Sequence, residues 1–201
     1  QPNAGADGNV TVCDSSTTSI NLFTLITSEQ AGGVWTRTSG LGGTFNAASG
    51  TFVPATGASS STFTYTLGGA APCVNDASLA TIIINPQPNA GLDGNTSVCE
   101  TNNASINLFT LITGEQPGGI WTRTSGAGGT FNAAAGTFIP AVGATTSTFI
   151  YTLNGVAPCV SDSSMATVVI TAQPIAGTLA GIQTVCQGNS RNFSSSVAGG
   201  T

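Results

Sequence analysis

The chain has 201 residues, with three Lys plus Arg, eight Asp plus Glu and no His, for a net charge of −5. Its basic residues are Arg37, Arg123 and Arg191, so scattered cations on an acidic chain exclude a grip on a nucleic-acid backbone and attraction to an anionic membrane surface. Charged residues make up 5% of the chain, against about a quarter in ordinary globular domains; hydroxyls and amides must therefore solvate the surface, as suits an extracellular protein.

Taken in chain order, residues 10–13, 20–26, 34–38, 51–53, 62–67 and 79–84 are rich in β-branched and aromatic residues and are separated by Gly, Asn, Asp and Ser clusters. Residues 62–67, TFTYTL, alternate polar with apolar, as a strand with one buried face requires. No segment carries sustained helical periodicity. After residue 86 the series begins again: a shift of 86 superposes 1–86 on 87–172 with about 59 positions identical, and a third copy opens with QPIAG at Gln173. The reading is an all-β chain of tandem immunoglobulin-like β-sandwich domains in an extended rod, with domains at 1–86 and 87–172 and the start of a truncated third at 173–201. The linkers, Asn85-Pro86-Gln87-Pro88 and Thr171-Ala172-Gln173-Pro174, are short and stiffened by Pro. No apolar run approaches the roughly 20 residues of a membrane span, and no basic-then-apolar leader opens the chain, so the expectation is a processed or internal piece without direct membrane insertion.

The cysteines follow the same period. Cys13 and Cys73 fall in the first unit, Cys99 and Cys159 stand 86 residues later, and Cys186 opens the third with its partner expected beyond Thr201. The simplest pairing is Cys13 with Cys73 and Cys99 with Cys159. Each such bridge closes a loop of about 60 residues, worth roughly 4 kcal/mol in the chain-entropy model, and persists outside the cytoplasm. Metal ligation is the competing reading, but close Cys pairs and His are missing.

GGVWTRTSG at 32–40 returns as GGIWTRTSG at 118–126. Trp35 and Trp121 read first as core residues of a sandwich, with stacking on a surface glycan as the alternative. Arg37 and Arg123 project to the same strand face as the Trp, so a structural ion pair is expected, with Asp76 and Asp162 or Glu29 and Glu115 as partners; contact with a neighbouring chain is the alternative. Asp7 and Asp93, in AGADGN and AGLDGN, read as turn formers. Calcium is weighed there too, but one acid per loop is short of its six to eight oxygens, so no cofactor is expected. Asn9, Asn95, Asn103 and Asn192 fit the N-x-Ser/Thr acceptor pattern. With no His or Lys, and a structural explanation for every Cys, no catalytic residue is identified and an enzyme is not expected.

The succession AGxDGNxxVC, GGxWTRTSG, GGTFNAAxGTFxPA, STFxYTL, APC and ATIII resembles the Ig-like and PKD-like repeats of large secreted Bacteroidota surface proteins. That resemblance implies a long adhesin, gliding-motility adhesin or filament exported by the type IX route. The functional expectation is a structural stalk that resists pulling and proteolysis, with neighbouring repeats as its first partners. Two alternatives stay open: a carbohydrate-binding array, and a fibre assembled from copies of the chain, head to tail or laterally, by strand exchange with Cys186 bridging in trans.

Overall fold

The structure, a computed structural model, describes every residue except 176, 181–183, 191, 193 and 197–201; Arg191 thus lies outside the described residues. The first copy of the repeat forms β1 (Gly8–Cys13), β2 (Ile20–Asn21), β3 (Val34–Ser39), β4 (Thr44–Asn46), β5 (Thr51–Val53), β6 (Ser61–Leu67) and β7 (Asp76–Asn85). One sheet has the order β1-β7-β6-β3 and the other β2-β5-β4. All pairs are antiparallel except β1 with β7, which run parallel. The second copy repeats the arrangement with β8 (Gly94–Cys99), β9 (Ile106–Asn107), β10 (Ile120–Ser125), β11 (Thr130–Asn132), β12 (Thr137–Ile139), β13 (Ser147–Leu153) and β14 (Asp162–Thr171). A short antiparallel pair, β15 (Leu179–Ala180) and β16 (Ser194–Ser195), follows.

The fold is all-β, built as tandem immunoglobulin-like sandwiches. The second, fourth and fifth strands of each copy form one sheet, and the third, sixth and seventh form the other, with the first strand added parallel to the seventh. Strict alternation along β6 turns Ser61, Phe63, Tyr65 and Leu67 inward and three threonines outward. From the small sheet, Phe45 and Phe52 meet Phe63 of the large one at centroid distances of 4.8 and 5.1 Å. Leu22, Trp35, Ala80 and Ile82 complete this core. Each large side chain sealed in this way contributes about 1.5–3 kcal/mol. The second copy builds its own core from the equivalent Leu108, Trp121, Phe138, Phe149, Tyr151, Ala166 and Val168.

Residues 20–26 do not form the continuous strand expected. Only Ile20 and Asn21 pair, and Leu22–Thr24 close a 3₁₀ turn. The Asn21 side chain accepts from the Phe23 amide at 3.1 Å and the Thr24 hydroxyl donates to the Asn21 carbonyl at 2.7 Å, offering the backbone a local alternative to the ladder. The turn delivers Leu22 to the core. Strand β4, hidden in sequence by its Gly-rich approach, pairs Phe45 with Phe52. Among the described residues no helix is long and apolar enough to cross a membrane.

Candidate functional site at the junction of the units

The duplicated GGxWTRTSG motif is structural. Trp35 and Trp121 are each 2% exposed, so neither offers a face to a sugar, and the glycan-stacking alternative is overturned. Trp35 lies on β3, at the edge of its sheet rather than its centre, and packs against Phe23 at 5.5 Å and Tyr65 at 5.1 Å. No disulfide joins the two sheets behind it; the Tyr65 ring takes that place. The Tyr65 hydroxyl accepts from the Gly33 amide and donates to the Gln30 carbonyl, both at 2.8 Å. A Cβ at position 33 would stand 2.5 Å from the Tyr65 ring, which explains the glycine before the motif's apolar residue.

Arg37 makes no ion pair of the kind expected. Its guanidinium donates from Nη2 to the Ser61 hydroxyl at 2.7 Å and from Nε to the Ser39 carbonyl at 3.3 Å, and it sits 5.3 Å from the Phe52 ring centroid and 5.8 Å from that of Phe63. Arg123 repeats this with Ser147, Ser125, Phe138 and Phe149, and adds the Gly128 carbonyl at 2.8 Å. The physical reason is proximity. The ladder is irregular just after Arg37, and its guanidinium lies over two aromatic rings with the buried Ser61 hydroxyl in hydrogen-bond reach.

The acids are used elsewhere. Asp76 accepts from the Ala4 amide and Asp162 from the Ala90 amide, each at 2.7 Å, tying the first residues of a unit to the start of its last strand. Asp7 and Asp93, read as turn formers, accept from the Leu79 and Met165 amides at 2.8 Å. Among the described residues no group of three or more His, Cys, Asp or Glu is placed to hold a metal ion.

The cysteine pairing is also corrected. Cys13 is bonded to Cys159 of the following unit, with 5.0 Å between their Cα atoms and a sequence separation of 146. Parallel pairing dictates this. Cys13, at the end of β1, stands beside Asn85, the last residue of β7, whereas Cys73 precedes the first, Asp76. The ten residues between those ends span about 33 Å, and a disulfide tolerates about 7 Å between Cα atoms. The end that holds Cys13 is where the chain leaves the first unit, and the loop that holds Cys159 is where it enters the second. The bridge therefore crosses the junction. Cys73, Cys99 and Cys186 are free and exposed.

Polar contacts surround the bridge. The Asn85 side chain donates to the Ala157 carbonyl at 2.8 Å and that of Gln87 to the Val160 carbonyl at 2.9 Å. Asp14, 5% exposed, accepts from the Gln87 amide at 2.8 Å and from the Gly57 amide at 3.0 Å, clamping the linker to the loop after β5. Glu100 makes the same clamp one unit later, on the Gln173 amide at 2.9 Å and the Gly143 amide at 2.8 Å. Those two donors, Gly143 first, hold its carboxyl below the ordinary glutamate range. The Thr101 hydroxyl, 3.2 Å from Cys99 Sγ, draws that thiol's pKa down. Sequence reasoning missed this site. Its signal was an acid directly after the first cysteine of each of the two full units, paired with a Gln just past the linker proline or its alanine counterpart. Chemically, the arrangement ties one unit to the next by a covalent bond, by the Asn85 and Gln87 side chains, and by the Asp14 hold on the linker.

In sequence the chain matches no family model and no curated protein. In structure it is similar to fragments of tandem extracellular domains at low identity. They include Drosophila N-cadherin EC1-4, with 11% identity over 82% of this chain and 49% of that one at a TM-score of 0.38. Drosophila OTK extracellular domains 3-5 give 13% over 83% and 59% at 0.44, and human protocadherin-24 EC1-2 gives 11% over 83% and 95% at 0.41. The chain thus spans about half the N-cadherin fragment and 59% of the OTK fragment.

Proposed function

We propose that the chain is a stretch of the stalk of an extracellular repetitive adhesin or filament, in which residues 1–86 and 87–172 are successive domains, residues 173–201 begin another, and the role is reach and resistance to force. The observation that carries this reading is the Cys13–Cys159 bridge, which joins one unit to the next rather than closing either. The bonded cysteines lie outside both core clusters, so what the bond restrains is the placement of one unit on the next. The proline in the linker and the Asp14 clamp act in the same direction. A disulfide there also calls for an oxidising location, which supports a cell-surface or secreted setting. Export by the type IX route and a gliding role are carried by the sequence resemblance alone. An enzymatic role has no support in the residues at the junction.

Small-angle scattering of the chain tests the reading. A stapled pair of end-to-end units gives an elongated particle whose maximum dimension is independent of salt and whose distance distribution broadens on reduction. A radius of gyration near the compact value for this length, about 16 Å, overturns it.

A further inference from the structure

We propose that the outward face of the large sheet, displayed once in each unit, is a lateral contact surface on which a second copy of the chain packs, sheet against sheet. Alternation turns Thr62, Thr64 and Thr66 of β6 and Leu79, Thr81 and Ile83 of β7 away from the core, and β3 and β1 extend the face with Val34, Thr36 and Thr11. The ladder sets them in rows. Thr36, Thr64 and Leu79 lie abreast, as do Thr62, Thr81 and Asn9. Val34 is 63% exposed, and Leu79 and Ile83 are each 41% exposed. A shift of 86 residues carries the face into the second unit, where Ile120, Ile150, Met165 and Val169 stand at the places of Val34, Thr64, Leu79 and Ile83. Met165 and Val169 are again open to solvent, so the chain covers neither face itself.

What fits this face is another like it. None of the residues on it is charged, so two copies, each with a net charge of −5, can meet there without like charges facing one another. Asp7 and Asp93, at the end of each face, are held by the amides of Leu79 and Met165. Hydroxyls on the face have partners inside the sheet: Thr38 donates to the Thr62 carbonyl at 3.1 Å and Thr124 to that of Thr148 at 3.3 Å, so covering them leaves no hydrogen bond unmade. Size decides how much of the face is needed. Four strands about 4.8 Å apart, with about seven residues at about 3.3 Å each, make a face of roughly 400 Å². A stable pair buries about 800 Å² of each partner, so one unit supplies half of what is required and the pairing engages both. The same surface serves on each copy, so the contact closes as a pair.

The test is sedimentation velocity of the full chain from about 1 µM to 1 mM, its exposed thiols alkylated without reduction so that Cys13–Cys159 stays closed. The expected result is a reversible monomer–dimer equilibrium that persists in molar salt, because no charge holds it. Leu79→Glu or Met165→Glu weakens it by about tenfold or more, since each sets an unpaired carboxylate against the partner, and the two together leave monomer at every concentration. Leu41→Glu adds the same charge in the loop between β3 and β4, off the face, at a side chain 77% exposed, and leaves the equilibrium unchanged. All three positions are open to solvent, so unchanged tryptophan emission confirms folding. A monomer throughout, a dimer indifferent to both face substitutions, a dimer dissolved by salt, or one weakened equally by Leu41→Glu overturns the proposal. So does an N-linked glycan found by mass spectrometry on Asn9 or Asn95 of the native protein, since it would occupy the face. Any of these leaves the stalk reading standing, because that rests on Cys13–Cys159.

Discussion

Residue by residue, the motif that draws the eye in sequence is the one that closes the core. Gly50 lies in the left-handed region at φ +62°, and a Cβ there would stand 2.7 Å from both the Phe23 ring and Trp35 Nε1. Backbone and packing object together, so Gly50→Ala is expected to destabilise the first unit by about 1–3 kcal/mol. Denaturant unfolding followed by tryptophan emission reads it, and a midpoint equal to that of the parent protein would refute the packing described. Gly136→Ala should do the same to the second unit, where Phe109 and Trp121 stand at 2.6 and 2.7 Å. Arg37 gives a second test. With its guanidinium on two aromatic faces and a hydroxyl, Arg37→Ala should cost about 1–2 kcal/mol through lost stacking and a lost hydrogen bond. That cost should be nearly the same in low and in molar salt, whereas a surface ion pair would be screened. Lysine at this position should recover little, since it cannot stack as a plane.

At the level of elements, an acid clamps each unit's exit to the loop after that unit's fifth strand. Glu100 has a folded pKa below its ordinary 4.5, because backbone amides of Gly143 and Gln173 solvate the ionised form. A depressed carboxylate contributes above its unfolded pKa, and the contribution is lost as pH falls through the folded value. The clamp should therefore be intact at neutral pH and open on acidification below about 4.5, the group's unperturbed value. Amide exchange of Gly143 and Gln173, corrected for intrinsic rates, should be protected at neutral pH and lose protection through that window. Glu100→Gln should show the unprotected behaviour at every pH. Equal protection in the variant would mean that the amides are shielded by something other than the carboxylate.

The elements themselves were mostly legible. Residues 62–67 alternate so regularly that the strand was readable to within one residue, and the 86-residue shift marked where the architecture repeats. The 20–26 run deceived because β-branched composition says nothing about the Asn21 and Thr24 side chains, which compete with a ladder for the same backbone groups. Arg37 deceived because spacing places it on the Trp face, yet a bulge and the aromatic edge beyond it are products of tertiary structure. The cysteines deceived for a different reason. In a tandem repeat a cysteine of one unit has an equivalent candidate partner in the next, so spacing alone allows a bond within a unit or across the junction. Only the parallel course of β1 beside β7, which no local pattern encodes, separates Cys13 from Cys73 by the length of a strand.

For the whole molecule, the position of the bridge decides how force travels. Tension applied at the two ends enters through the first strand, crosses from Cys13 to Cys159, and leaves through β14, so everything enclosed between the two sulfurs carries no load. Strand β1, whose parallel contact with β7 would otherwise be sheared, is anchored at its far end by the bond itself. Bridges within single units would have shielded about 60 residues each and left the junction between them to bend. The observed bond shields everything between the two sulfurs, the junction included, and leaves only β1 and β14 of the two units in the path of the load. Pulling the chain by its ends should thus release only the short segments outside the bridge, and reduction should add the contour of the enclosed 146-residue separation, about 500 Å at roughly 3.5 Å per residue. Single-molecule force spectroscopy with and without reductant measures that difference directly. A gain near 200 Å per unit, at the same extension per residue, would mean that the bridges close within units and that the junction is a hinge; no gain at all would mean that no bond carries the load.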